Sequence, residues 1–307
     1  MGMNYTLHQL KVFLKVVELK SITKASEALY LTQPAVSIQI KKLQDQFELP
    51  LTEVIGKQLY ITEFGKVLAT KCEKIIEAAD EIKDTVSQYK GVVTGKLKIS
   101  VVSTGKYVIP FFIKPFMDLY PEVEISVNVS NKNRVIKDLQ NNATDFALVS
   151  IIPEGLKLKK IELMENKLYF ASKNTAVNRL QTPKDLEKVN LLFRESGSAT
   201  RDVMEQYLKE HNVQVKNAME LVSNEAIKQA IYADVGCSLM PIIGLRLALK
   251  NKEIKVHKLE GLPMVTKWNL VYLSEKKLTT AHQAFINTIR QKKEELIHEH
   301  FNWSLEY

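Results

Sequence analysis

The chain has 307 residues, of which 45% are hydrophobic and 25% charged, and it carries a formal net charge of +8. That length and balance suit a soluble protein of two or more domains and exclude a disordered, collagen-like or disulfide-built chain. No apolar run approaches a membrane span, the N-terminus lacks the charged-then-apolar pattern of a signal peptide, and two cysteines, Cys72 and Cys237, fit a reducing cytoplasm.

The positive charge does not sit at the N-terminus. Residues 1–90 hold twelve lysines against eleven acidic residues, and no arginine precedes Arg134. A nucleic-acid reading of that region therefore depends on which face carries the lysines, and the strongest side chain for bidentate guanine contact is missing.

Thr6-Leu7-His8-Gln9 fits a capping box, and Leu10, Phe13, Leu14 and Val17 follow as a helical apolar stripe. Ser21 to Leu43 then reads as two short helices joined by a tight turn at Tyr30-Leu31-Thr32. Ser21 and Thr32 are the expected caps, and Pro34 lies in the first turn of the second helix, where a missing N–H costs nothing. Val36, Ile40, Leu43 and Phe47 share one face of that helix. The opposite face shows Pro34, Ser37, Ile38, Lys41 and Lys42, with Gln33 and Gln44 at its edge. Small polar groups, amides and lysines on an outward helix face suit a DNA major groove, although an ordinary helical hairpin with a solvated face fits the spacing too.

Glu53 to Thr62 reads as a small hairpin turning at Gly56-Lys57, with Lys57 placed to reach a phosphate or a minor groove. Thr62 can cap a long helix running to about Tyr89. Its apolar positions Leu68, Cys72, Ile75, Ala79, Ile82, Val86 and Tyr89 alternate at four and three residues, a heptad seam that predicts a two-helix dimer interface.

Residues 7–10, the stretch LTQPAVSIQIKKL and the following TEVIGKQLYITEFG closely resemble the winged helix-turn-helix of LysR-type transcriptional regulators, without a gap over about the first 65 residues. Within that family they look most like the regulators of carbon-fixation operons. The usual phenylalanine is here Thr52 and the usual arginine Val54, which weakens any strong wing contact. The resemblance implies a motif over about Ile22 to Lys41, with Thr32, Gln33, Pro34, Ser37, Ile38, Lys41, Lys42 and Lys57 contacting double-stranded promoter or operator DNA. It also implies that the long helix dimerises, through Leu68, Cys72, Ile75, Ala79, Ile82 and Val86. A homodimer or homotetramer follows, with RNA polymerase as a further partner the family allows.

After Gly91 and Gly95 the pattern changes to strand-helix-strand. Strands are expected at 96–102, 123–129 and 145–151, two more within 158–173, and others at 189–193, 215–222, 236–240 and 268–273. Helices are expected at 107–120, 132–140, 200–210, 225–233 and 280–297. These make two α/β units. The expected fold is an α+β multidomain chain: a winged helix-turn-helix at 1–62, a linker helix at 63–90, and a two-lobed α/β region at 91–307. By the resemblance, that region is like a periplasmic binding protein. One lobe takes about 91–163 with 267–307, and the other about 164–266.

Ligands of open α/β sheets bind beyond the carboxyl ends of strands, beside helix N-termini. Three turns qualify: Ser103-Thr104-Gly105, Ser130-Asn131 and Arg194–Arg201. Helix capping explains each one alone. The family places its effector between the lobes near the first and third. Ser103, Thr104, Asn131, Arg194, Ser196, Ser198, Thr200 and Arg201 are therefore the expected effector contacts, and the arginines favour a small anionic metabolite.

No catalytic set, Walker loop, GxGxxG or CxxC pair appears, and the six histidines lack partners at motif spacing, so neither enzyme, cofactor nor metal is expected. Two other readings remain at this point. One is a two-lobed binding protein or enzyme with an accessory helical N-terminus. The other is a non-specific nucleoid protein, which the near-neutral N-terminal region disfavours.

Overall fold

The computed structural model describes residues 4–56, 58–89, 92–175 and 180–307. The chain divides into two compact units, Met1–Val92 and Val93–Tyr307.

In the first unit, α1 (Leu7–Leu19) starts at a capping box in which Thr6 accepts from the Gln9 N–H and the Gln9 side chain accepts from the Thr6 N–H. Ser21 caps α2 (Ile22–Ala28) and Thr32 caps α3 (Gln33–Gln44). The tight turn between these helices puts Tyr30 at φ 55. Leu10, Phe13, Val16, Ala25, Val36, Ile40, Leu43 and Leu51 close one apolar core. The hairpin is β1 (Thr52–Ile55) against β2 (Gln58–Ile61), antiparallel, and turns through Gly56 at φ 56. Lys57 lies outside the described residues.

Thr62 opens α4 (Glu63–Tyr89), accepting from the Gly65 N–H at 2.9 Å and donating its hydroxyl to the Pro50 carbonyl at 2.6 Å. A Cβ on Gly65 would stand 2.2 Å from the Leu51 carbonyl oxygen, so only glycine lets the helix come this close. The heptad seam of α4 does not act as one surface. Leu68 and Cys72 pack into the N-terminal core, and burial pushes the Cys72 thiol up. Farther along, Ile75 is 39% and Ile82 67% exposed, and Ala79 is half-buried. The side chain of Val86 lies outside the described residues. The first turns of the seam are spent on α1, and only the later turns leave apolar residues for a partner.

The second unit begins with β3 (Gly95–Val102), α5 (Ile109–Leu119), β4 (Val123–Ser130), α6 (Lys132–Gln140) and β5 (Phe146–Val149). β3 pairs in parallel with both β4 and β5, as right-handed crossovers require. A 3-10 turn at Gly105–Tyr107 takes up the start of the expected helix, and Pro115 sits inside α5. Then comes β6 (Leu158–Lys173), one continuous strand of 16 residues where the sequence suggests two.

The chain continues with β7 (Leu191–Arg194), α7 (Ala199–Glu210), β8 (Ala218–Leu221), α8 (Asn224–Tyr232), β9 (Ser238–Pro241), α9 (Arg246–Lys250), β10 (Ile254–His257), β11 (Met264–Leu273) and α10 (Thr280–Phe301). Neither α9 nor β10 is legible as an element in the sequence. The large sheet runs β10-β6-β11-β5-β3-β4, with β9 also pairing β6, while β7 and β8 form a separate parallel pair.

Two lobes arise because the apolar residues gather in separate cores. Leu97, Val101, Phe112, Phe146, Ile161, Leu163, Trp268 and Phe285 belong to one. Leu168, Phe170, Leu191, Met204, Tyr207 and Leu239 belong to a second, and Ala171, Ile227, Met240 and Ile254 extend it on the other side of the strands. Strand β6 leaves the first core after Met164 and enters the second at Leu168. β11 runs back beside it, antiparallel, with a bulge between Trp268 and Asn269.

Asp145 fixes the start of β5. Its Oδ2 accepts from the Lys98 N–H at 2.6 Å, Lys276 Nζ lies 2.9 Å from Oδ1, and His282 Nε2 lies 3.3 Å from Oδ1. Burial opposes ionisation here, yet His282, Lys276 and the Lys98 N–H together hold the carboxyl at about 2. A carboxyl depressed in the folded state stabilises it above its unfolded pKa of about 3.9, and that stability is lost as pH falls toward the folded value. Asp145→Asn should therefore cost on the order of 2 kcal/mol at neutral pH and little at pH ~2. Thermal melts of both proteins across that window test this; a constant gap between the two curves would refute it.

Candidate nucleic-acid interface and effector cleft

On α3 the buried side is Val36, Ile40 and Leu43, which fixes the rotation of the helix. Gln33, Pro34, Lys41 and Lys42 are exposed, Ser37 is half-buried, and Ile38 is 52% exposed. Thr32 is exposed but its hydroxyl is engaged as the helix cap, 3.4 Å from the Ala35 N–H. Gln44, placed by helical arithmetic at the edge of the outward face, instead accepts from the Leu51 N–H at 3.1 Å and ties α3 to the approach of the hairpin. The outward face thus offers a hydroxyl, an amide, an isoleucine and two lysines, none of them paired with an acidic side chain among the described contacts. The hairpin exposes Val54 at 70% and Ile55 at 58%. Apolar residues there can lie along sugar edges but supply no charge.

The cleft is built from the carboxyl ends of strands in different lobes. Ser103 follows β3, and Arg194 ends β7 in the other lobe. Arg194 is 2% exposed, and its Nη2 donates to the Ser103 hydroxyl at 3.0 Å. Glu195 takes Nε at 2.8 Å and Nη2 at 2.9 Å, while Nη1 has no partner among the described residues. Asn224, at the start of α8, points Nδ2 at the Ser103 hydroxyl from 3.5 Å, and its Oδ1 is likewise unpaired. Tyr107 brings a third buried, unpaired polar atom, its hydroxyl; burial pushes that phenol up, against the pull of Lys228. Such groups are costly when left unpaired, so their convergence marks a place built to receive hydrogen-bonding atoms.

Thr104, Ser198 and Thr200 are buried. Ser198 precedes α7 without capping it through its side chain, so the positive end of that helix is not closed by its own residue. Ser196 is exposed on the turn. Asn131 and Arg201 behave differently from expectation. The Asn131 side chain is spent capping α6, accepting from the Arg134 N–H at 3.0 Å. Arg201 turns outward: Nε meets Glu205 at 2.7 Å, Nη1 meets Glu220 and the Arg194 carbonyl, and the guanidinium lies over the Phe193 ring. Arg201 therefore holds Arg194 in place from behind rather than offering a free charge. Sequence reading misses Tyr107, Glu195, Asn224 and Lys132. Lys132 at the start of α6 forms an ion pair with Asp202 of α7, across the lobes.

Residues 7–66 match the family of bacterial regulatory helix-turn-helix proteins of the lysR type, and residues 90–294 match the LysR substrate binding domain. The chain belongs to the LysR family of transcriptional regulators, and it is a regulator rather than an enzyme. It is 33% identical to the HTH-type transcriptional activator CmpR of Synechocystis over 92% of this chain and 94% of that one. It is 34% identical to the regulator CbbR of Rhodospirillum rubrum over 91% and 94%. Among solved structures, the regulatory domain of Synechocystis CcmR in complex with 2-PG covers 66% of this chain and 98% of its own, at 29% identity and a TM-score of 0.62. The full-length LysR family regulator CbnR shares the fold, with a TM-score of 0.70 over 94% of this chain and 99% of that one at 18% identity. The likeness to carbon-fixation regulators read from the first 65 residues thus extends along the chain.

The turn that carries Ser196 and Ser198 depends on Gly197, at φ 84 with Asn133 of the other lobe packed over it. A Cβ there would meet Asn133 Nδ2 at 2.4 Å. Gly197→Ala should cost about 1–2 kcal/mol, from the positive φ as well as the clash. Asn133→Ala in the same background should restore only the clash component. Denaturant unfolding of the two variants and the parent checks this, and full restoration would mean that φ carries no strain.

Proposed function

We propose that the chain binds promoter DNA through α3 and the adjoining hairpin, as a homodimer joined along α4, and that a small dianionic metabolite binding between the lobes controls this activity in the bacterial cytoplasm. The observation that carries the effector reading is the buried Arg194 guanidinium, whose Nη1 has no partner among the described residues, beside the Tyr107 hydroxyl, which has none there either. A phosphate or carboxylate can take Nη1, the Ser103 hydroxyl and Asn224 Nδ2, while a second acidic group meets the open N-terminus of α7 beside Ser198 and Thr200. The solved relative that holds 2-PG, or 2-phosphoglycolate, supports a compact molecule with two acidic ends.

The test is a melting shift with 2-phosphoglycolate. A ligand that binds only the folded chain adds RT ln(1 + [L]/Kd), about 2.7 kcal/mol at 100 Kd. Arg194→Met should abolish the shift, and Arg201→Met, which removes only a support of Arg194, should reduce it without abolishing it. A shift that survives Arg194→Met, or that phosphoglycolate, sugar phosphates and nicotinamide cofactors all fail to produce, would sink the anion reading. Coupling must also be reciprocal: operator DNA must change ligand affinity by the factor by which ligand changes operator affinity.

On the DNA side, Lys41→Ala should weaken binding to all sequences and reduce the salt slope by about 1, and Ser37→Ala should narrow the gap between operator and random DNA. For assembly, Ile82→Asp puts a charge on the apolar face that the N-terminal core leaves open. Sedimentation should show loss of the α4 dimer together with weaker operator binding; an unchanged assembly would place the interface elsewhere.

A further inference from the structure

We infer that the hinge between the lobes contains a second small-molecule site, distinct from the anion site, for a neutral ring-sized apolar compound carrying one hydrogen-bond donor. The site is a cavity of about 200 Å³. Its apolar walls are Ile297 and Phe301 of α10, Ile242 and Ile243 from the 3-10 turn after β9, Met164 of the crossing strand, and Leu305. An engineered apolar cavity of about 150 Å³ already admits benzene, so the size suits a one- or two-ring molecule. Asn166 also lines the cavity; its Nδ2 donates to Thr266 at 2.9 Å, and its Oδ1 has no partner among the described residues. That leaves one unmet acceptor, which selects for a donor on the ligand. Glu165 and Lys167 both line it, so their opposite charges offset and give no net attraction to an ion of either sign.

The cavity lies where it can act. Its roof is the segment Asn302–Glu306, which leaves α10 in one lobe and fastens to the other. Trp303 lies under the Arg246 guanidinium at 5.5 Å, and the Tyr169 hydroxyl donates to the Tyr307 carbonyl. Its floor is the stretch of β6 between the two cores, Glu165 to Lys167. Its inner wall, the turn Ile242–Leu245, touches the effector cleft on its other side: the Tyr107 ring packs so closely on Gly244 that an added Cβ would stand 2.8 Å from it. A molecule held under the roof fills space between crossing strand and turn, and Tyr107 reports that to Ser103, Arg194 and Asn224.

Indole is a suitable probe, with two fused apolar rings and one N–H donor. Saturation-transfer NMR on the full-length protein should show indole binding at millimolar concentration. Leu305→Trp fills the cavity from an exposed position and Ser304→Trp from a half-buried one, and each should weaken binding by about tenfold or more. Arg194→Met should leave indole binding intact, which separates this site from the cleft. No binding of indole, or binding that both rim variants leave unchanged, would overturn the assignment. The coupling arm rests on the effector reading: saturating indole should change the apparent affinity for 2-phosphoglycolate at least twofold, and should do so in the parent but not in Leu305→Trp. If indole binds as described with no effect on a ligand that itself binds, the site stands and its link to the cleft is wrong. If phosphoglycolate alone fails to bind, the cleft reading is at fault and the NMR result still decides the hinge site.

Discussion

The antiparallel pairing of β6 with β11 is the constraint on which the second unit depends. Each strand is shared by both lobes, and together they are the chain's passage from one core to the other. At about 3.3 Å per residue, the 16 residues of β6 span roughly 50 Å, longer than either lobe needs for its own sheet. The bulge at Trp268/Asn269 falls where the strands leave the first core, and an extra residue there adds twist and gives the ladder a place to bend. A lobe rotation must be absorbed between Met164 and Leu168 and at the matching part of β11. Everything outside those residues is clamped by its own core. The functional turns after β3 and β7 are therefore rigid within each lobe and adjustable only with respect to each other.

On the proposed effector reading, Arg194 is the group through which a ligand acts on that arrangement. A guanidinium 2% exposed must be paired or it destabilises the fold, and Glu195 and Ser103 supply the pairing. Glu195 comes from the same lobe and costs the chain nothing in lobe geometry. Ser103 comes from the other lobe and is available only when the cleft is closed. The interlobe contacts beside it, Lys132 with Asp202 and Asn133 over Gly197, also exist only in that state. On the proposed reading, an anion that pairs with Nη1 adds its binding energy to the arrangement in which these interlobe contacts are made. Differential affinity of this kind is what a ligand must have to shift a conformational equilibrium.

Legibility in the sequence followed the range of the interactions. The N-terminal helices were readable because caps and apolar periodicity act within one turn: Thr6 with Gln9, Ser21 with Lys24, Thr32 with Ala35. Gln44 was misplaced because its partner, the Leu51 N–H, lies beyond a loop that helical arithmetic does not describe. The heptads of α4 had the right period, but period reports that a face is buried and not by what; α1 covers Leu68 and Cys72. In the second lobe the strands are four residues long, and β8 is mostly exposed, so no alternation develops. Of the two arginines flanking the third turn, both looked equally free. Glu220, nineteen residues from Arg201 in the chain, decides which one stays in the cleft.

The two charge systems also differ in how solution conditions reach them. The α3 lysines are exposed, so at physiological ionic strength their long-range field decays within about 8 Å and every phosphate contact competes with counterions. Arg194 is screened by protein rather than by salt, and the proposed anion would meet it in a low-dielectric pocket that already contains its counter-charge. Raising salt therefore strips the DNA contacts first and leaves the cleft chemistry comparatively intact. A chain whose head is nearly neutral, with twelve lysines facing eleven carboxylates, has little electrostatic excess to lose. On the proposed reading its operator affinity rests on a few groups of α3, so a small change in how a dimer presents two such heads would alter a large fraction of the binding energy.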